Sequence, residues 1–371
     1  MAIVGGHRLP SRPTGDKRAR YMPELDGLRA VAILVVLAFH LEFPWFSLGW
    51  AGVPLFFVLS GFLITGILMD ARGAPNYLRN FYVRRAFRIF PIYYLTLFAV
   101  AAAAIAMGQR IDSLPFYLLY TQNYLLGATN FNPQFPVAFN HSWSLAIEEQ
   151  FYLAWPFAVM WLGRRKLLAL AGSMFGIGLA ARAGLLAATG NPALMDASLP
   201  GQLDALSAGA GLAILLRSGV DIRALSRKAA LVMVVSGSLL LVMVSRNGLD
   251  SYWHPDTWAT QPQNLPTLSL LALFFAALVA LALAGAPLLS RLLAWNPLRH
   301  VGKISYGIYM FHFPIFVLVD KTLWKLFPGE PNQLVHLAHP AGKIALTYLL
   351  ALVSWRVIES PLLRLKARFE G

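Results

Sequence analysis

The sequence predicts an all-α polytopic membrane protein with about ten transmembrane helices and both termini in the cytoplasm. Three observations predict it. Only 13% of the residues are charged and 57% are hydrophobic, against about 25% charged in an average soluble domain. Apolar runs long enough to cross a bilayer recur along the chain, and mean hydropathy is +0.58. Basic residues gather in alternate connections.

The apolar runs fall at about 28–44, 50–69, 90–108, 144–162, 167–188, 200–216, 230–246, 267–286, 304–320 and 342–358. The first has no small-residue cleavage site and carries motif residues, so it reads as a retained helix rather than a signal sequence. One set of connections holds Arg79, Arg84, Arg85, Arg88, Arg164, Arg165, Lys166, Arg223, Arg227, Lys228, Arg299 and Lys303 among others. The alternate set holds only Arg110, Arg246, Lys321, Lys325 and Lys343. The positive-inside rule assigns the first set, and both termini, to the cytoplasm. These loops supply much of the net charge of +14, so no nucleic-acid partner is needed to explain it.

Three regions are expected: a flexible basic cytoplasmic N-terminus over 1–20, a membrane domain over 21–362 and a short cytoplasmic tail over 363–371. The inner loop 70–89 is arginine-rich. The longest outer loop, 109–143, has aromatic residues that suit a helix lying in the interface. A second outer loop, 247–266, carries Trp253, His254 and Trp258, which suit sugar stacking or an interfacial belt. Nothing after residue 358 is long enough to fold alone, so no soluble catalytic domain is expected. The chain has no cysteine, which excludes disulfides, thiolate metal sites and a cysteine nucleophile. His336 and His339 fall in an outer loop, no histidine cluster has metal-ligand spacing, and no metal is expected.

Arg29 and His40 stand eleven residues apart in the first apolar run. Eleven helical steps return a side chain to within roughly 20° of its starting face after a rise of about 16 Å. A guanidinium near one surface and a mid-depth imidazole therefore share one stripe, and ionisable groups at such depth are kept for function or for a buried partner. The second run contains Ser60-Gly61, a small surface for helix packing or for close approach of a ligand. Arg85 and Arg88 share a helix face, fit to bind phosphates or lipid headgroups. The fourth run opens with His141 and Trp143 and carries the adjacent Glu148 and Glu149, which point about 100° apart. Asp204 lies just inside the outer end of the sixth run. The ninth carries Ser305-Tyr306-Gly307, Tyr309 and the mid-depth His312. Glu359-Ser360-Pro361 is expected to close the last helix.

Together these segments resemble the acyltransferase 3 family of bacterial integral-membrane acyltransferases, over about residues 21–362. The marks are the Arg29-to-His40 spacing, Ser60-Gly61-Phe62-Leu63-Ile64, Arg85-x-x-Arg88, Trp143-Ser144-Leu145 with Glu148, and Ser305-Tyr306-Gly307 with His312. The resemblance implies ten core helices in a bacterial cytoplasmic (inner) membrane. It also implies transfer of an acyl group, commonly acetyl, from cytoplasmic acyl-CoA to a hydroxyl of a carbohydrate or glycosylated acceptor. Arg29 and His40 are then the catalytic pair, with Arg85 and Arg88 on the donor.

The residue chemistry agrees with that picture. Imidazole titrates near neutral pH, so His40 can act as general base on an acceptor hydroxyl. Glu148 is expected to orient that imidazole or to contact sugar hydroxyls. Ser60, Tyr309 and His312 are expected on the donor side, and Glu149, His141 and Asp204 on the acceptor side. Arg29 or the backbone near Ser60-Gly61 can stabilise charge developing on the thioester. Direct transfer is preferred to an acyl-histidine intermediate or to Ser60 as nucleophile. The alternative class is a proton-coupled transporter or flippase, in which intramembrane Arg, His and Glu form a substrate path. A membrane glycosyltransferase would call for several outer-loop carboxylates near the first run, where only Glu42 stands.

Overall fold

The computed structural model describes residues 21–132, 137–247, 264–326 and 333–365. Among them are ten helices of 17 or more residues: α1 (Pro23–His40), α2 (Gly52–Asp70), α3 (Tyr77–Ala106), α4 (Trp143–Trp161), α5 (Arg164–Thr189), α6 (Leu199–Arg217), α7 (Ile222–Asn247), α8 (Thr267–Leu283), α9 (Ser305–Leu326) and α10 (Gln333–Ser354). Each overlaps one expected run, and there is no strand among the described residues. Six helical stretches are long and apolar enough to cross a membrane, or up to eight if each of two bent pairs is one span. The bent pairs are α8 with Pro287–Leu293, at 92°, and Asn296–Lys303 with α9, at 67°. Helices α1 and α4 fall outside both counts, and they are the helices that carry Asp26, Arg29, Glu148 and Glu149. The basic N-terminus, the Trp253 to Trp258 loop and most of the tail lie outside the described residues.

Several boundaries differ from the sequence expectation. Helix α1 starts at Pro23, where proline fits the first turn and Glu24 and Asp26 complement the helix dipole. It stops at His40, and Pro44 opens a short 3-10 turn. His40 is therefore the last residue of its helix, one turn short of the expected end at 44. Helix α3 begins at Tyr77, well before the expected start at 90. Its first turns bury Tyr77 and Phe81, and arginine is a good helix former, so Arg79, Arg84, Arg85 and Arg88 lie on a helix and not in a loop.

The expected interfacial loop 109–143 contains two short helices, Leu114–Leu118 and Gln122–Ala128, and a 3-10 segment, Val137–Ser142. Glu359-Ser360-Pro361 does not close the last helix. A π-helical turn, Trp355–Glu359, follows α10 and leads into Ser360–Leu365. Pro361 falls in the first turn of that segment, where a missing N–H needs no partner. His336 and His339 lie on α10 rather than in a loop. The Asp320 carboxylate of α9 takes His339 Nε2 at 2.7 Å and Lys343 Nζ at 2.6 Å.

Glycine sets the helix spacing. A Cβ on Gly61 would run into the carbonyl oxygen of Leu206 on α6, and one on Gly209 into that of Val58 on α2. Backbones packed this closely gain dispersion contacts that larger side chains would prevent, which is how helices associate where lipid weakens the hydrophobic drive. Gly302 is pressed in the same way on Asp26 of α1. The Ser60-Gly61 pair thus divides its labour: Gly61 packs helices, and Ser60 faces α4.

A second anchor is ionic. Arg182 stands mid-way along α5 and Asp204 near the start of α6, and both side chains are 0% exposed. Asp204 Oδ2 accepts from Arg182 Nη2 at 2.7 Å and from Ser269 Oγ of α8 at 2.7 Å, while Oδ1 accepts from the Ala205 amide at 2.9 Å. Arg182 Nη1 donates to the Gly201 carbonyl at 2.5 Å. Three helices are tied at one point where water cannot replace a lost partner.

Two predictions follow the packing. Gly61→Val will lower thermal stability in detergent by about 1–3 kcal/mol through overpacking, whereas Gly211→Ala, which meets open space, will leave the melting temperature unchanged. Arg182→Leu or Asp204→Leu alone will cost about 3–5 kcal/mol, and the double apolar variant much less. Equal losses for single and double variants would contradict the ion pair's closed geometry.

Candidate active site

Three helix stripes meet inside the bundle. On α1 the stripe runs from Arg29 to His40. On α4 it runs through Ser144, Glu148 and Tyr152, spaced four residues apart. On α9 it runs through Tyr306, Tyr309 and Phe313, with His312 beside it. Helix α2 adds Ser60 and α3 adds Arg85 and Arg88. The groups form two layers.

The histidine layer lies at the C-terminal end of α1. The His40 and His312 ring centroids are 5.0 Å apart, as are those of His141 and His312. Phe313 packs edge-on against His40 at 5.1 Å. His40 Nδ1 lies 3.0 Å from the Val36 carbonyl, one turn back on its own helix. A carbonyl only accepts, so Nδ1 carries the proton and Nε2 keeps its lone pair. His312 repeats the arrangement, with Nδ1 at 2.6 Å from the Tyr309 carbonyl. Glu148 therefore does not orient His40; the Val36 carbonyl does. The Tyr309 hydroxyl donates to the His141 carbonyl at 2.5 Å and so accepts from Ser144 Oγ at 2.5 Å. This hydroxyl bridge fastens α9 to α4 and to the Val137–Ser142 segment.

The charged layer lies toward Arg29, a rise of about 16 Å along α1 from His40. Glu148 interacts with Arg85, Arg29, Ser60 and Tyr152. Arg88 feels Arg29, Arg85 and Glu359. Glu149 faces Arg85 and Glu148, and its buried Oε1 has no hydrogen-bond partner among the described residues. The Tyr306 hydroxyl donates to the Ile89 carbonyl at 2.7 Å, pinning α9 to α3 just beyond Arg88. Charged groups from four segments thus offset one another where bilayer and protein exclude water.

Ten of the eleven site residues expected from the sequence lie in these layers: Arg29, His40, Ser60, Arg85, Arg88, His141, Glu148, Glu149, Tyr309 and His312. Asp204 does not join them, because its carboxylate is closed by Arg182, Ser269 and Ala205. The sequence motifs include Tyr306 and Glu359 but assign them no role in the site, and Tyr152 is not singled out. The spacing of four residues from Glu148 was the available signal for Tyr152. Nothing in the sequence announced that a π-turn would bury Glu359. Among the described residues no group of three or more His, Cys, Asp or Glu side chains could hold a metal ion.

Peptidoglycan O-acetyltransferase OatA of Listeria monocytogenes is 29% identical over 361 residues, covering 92% of this chain and 56% of that protein. YrhL of Bacillus subtilis is 31% identical over 379 residues, covering 92% of this chain and 55% of its own. O-acetyltransferase OatA of Staphylococcus aureus is 28% identical over 362 residues, with coverages of 92% and 57%. The chain therefore spans about half the length of these relatives. No solved structure matches it. The family model described as an acyltransferase domain matches residues 22–356, which hold every group of both layers except Glu359, and the chain belongs to the acyltransferase 3 family.

Proposed function

We propose that the protein is a bacterial membrane O-acyltransferase that moves an acyl group, most simply acetyl, from cytoplasmic acyl-CoA to a hydroxyl of a carbohydrate polymer or glycosylated acceptor. The observation that carries the reading is the pairing of an imidazole with a free Nε2 and an arginine-rich layer along the same helix stripe. The peptidoglycan O-acetyltransferase name of a relative supports a polysaccharide acceptor. The basic residues gathered at alternate helix ends support an orientation with the charged layer toward the cytoplasm and both termini on that side. In this orientation residues 21–362 act as one catalytic membrane unit in the cytoplasmic membrane.

The residues present fit a CoA thioester. Arg85 and Arg88 offer planar donors suited to its phosphates, and the histidine layer lies deeper in the same bundle for its acyl end. The donor supplies an activated acyl carbon. His40 Nε2 takes the proton of the acceptor hydroxyl as the oxygen bonds to that carbon and the carbon–sulfur bond breaks. The proton then passes to the sulfur, so no proton is gained or lost overall. Arg29 adds positive charge to the layer in which Arg85 and Arg88 would hold the donor's phosphates. His141 and Glu149 are left to position the acceptor. Asp204 is read as a structural residue.

The test is CoA release by the full-length protein in nanodiscs, supplied with acetyl-CoA and a polysaccharide acceptor. His40→Ala will lose on the order of 10²–10⁴-fold in turnover while keeping its fold. Equal turnover of variant and wild type would remove His40 from the mechanism. Solute flux without acetyl-CoA binding or CoA release would instead make the protein a transporter.

A further inference from the structure

Tyr152 makes two kinds of contact at once. The Arg85 guanidinium carbon lies 4.4 Å from the centre of its ring. Its hydroxyl is hydrogen-bonded to Ser60 Oγ on α2, and Glu148, one turn away on α4, interacts with both residues. The side chain is 4% exposed. It is therefore the point at which α2, α3 and α4 meet inside the charged layer.

What Arg85 lacks is as informative. Among the described residues no carboxylate oxygen lies within ion-pair distance of its guanidinium nitrogens. Arg217 on α6, by contrast, takes Asp70 in a two-pronged pair, at 2.6 and 2.9 Å. Stacking on an aromatic face holds a guanidinium plane without using its N–H donors. An arginine held in this way keeps its planar fork for an incoming anion. The tyrosine hydroxyl, on the other edge of the ring, fixes Ser60 and Glu148.

We infer that Tyr152 is a two-part positioning residue: its ring presents the Arg85 fork to a phosphate of the acyl donor, and its hydroxyl sets Ser60 and Glu148 for the transfer step. The inference rests on the acyl-CoA reading above. It separates binding from chemistry within one side chain. Removing the ring should act on donor affinity, and removing the hydroxyl alone should act on turnover.

Tyr152→Phe and Tyr152→Leu in the full-length protein, assayed in nanodiscs with acetyl-CoA, test it. Tyr152→Leu is expected to raise the KM for acetyl-CoA on the order of tenfold, the scale of a lost desolvated cation–π contact. Tyr152→Phe is expected to leave KM within about twofold while lowering kcat on the order of tenfold, the scale of a lost hydrogen bond to a charged group. A raised KM or an unchanged kcat for Tyr152→Phe overturns the inference, and this arm stands even where Tyr152→Leu fails to fold. Equal changes of KM and kcat in both variants overturn it too. Wild-type protein that neither binds nor turns over acetyl-CoA overturns the acyl-CoA reading itself, and the inference with it. Wild-type turnover with unsplit variants overturns the inference alone.

Discussion

Arginines inside an apolar bundle need anionic or aromatic partners, and supplying them constrains much of this structure. Arg29 on α1 and Arg85 and Arg88 on α3 are met by Glu148 and Glu149 on α4, by Glu359 on the π-turn and by the Tyr152 ring. Asp26 on α1 partly offsets Arg29, but α3 carries no acidic residue and α4 no basic one, so neither can compensate its own charge. They must therefore converge, and their convergence builds the floor of the site. Arg182 on α5 obeys the same rule, and its partner Asp204 fixes α6 and, through Ser269, α8. One pair is closed and structural; the other set is open and distributed.

The glycine contacts answer a different demand. Lipid offers apolar side chains little reason to leave it for one another, so helices need intimate backbone approach. Gly61 and Gly209 provide it between α2 and α6, and that approach sets the depth at which Ser60 meets Tyr152. The small-residue pair thus acts in packing and in the site through two adjacent positions.

Much of this was legible in the sequence for physical reasons. Long apolar runs encode helices directly, and each of the ten runs overlaps a long helix. The eleven-residue return of the helix predicted that Arg29 and His40 share a stripe, and both line the layered site. What stayed hidden depends on pairing at a distance. Arg182 is plainly an intramembrane arginine, yet no periodicity names Asp204 as its partner. The early start of α3 was masked by arginines that resemble loop charge until Tyr77 and Phe81 are seen to be buried. The orientation of His40 by the Val36 carbonyl depends on where α1 ends, which hydropathy does not define to within a turn. The π-turn that turns Glu359 inward has no local signature.

The central claim is that the arginine layer receives the donor's phosphates while the histidine layer receives its acyl end. A structure of the full-length protein bound to a non-hydrolysable acetyl-CoA analogue in a lipid nanodisc tests it most directly. The account predicts phosphate density against Arg85 and Arg88 and the acyl group within reach of His40 Nε2. An analogue bound with its phosphates away from α3, or with its acyl end remote from His40, would contradict it.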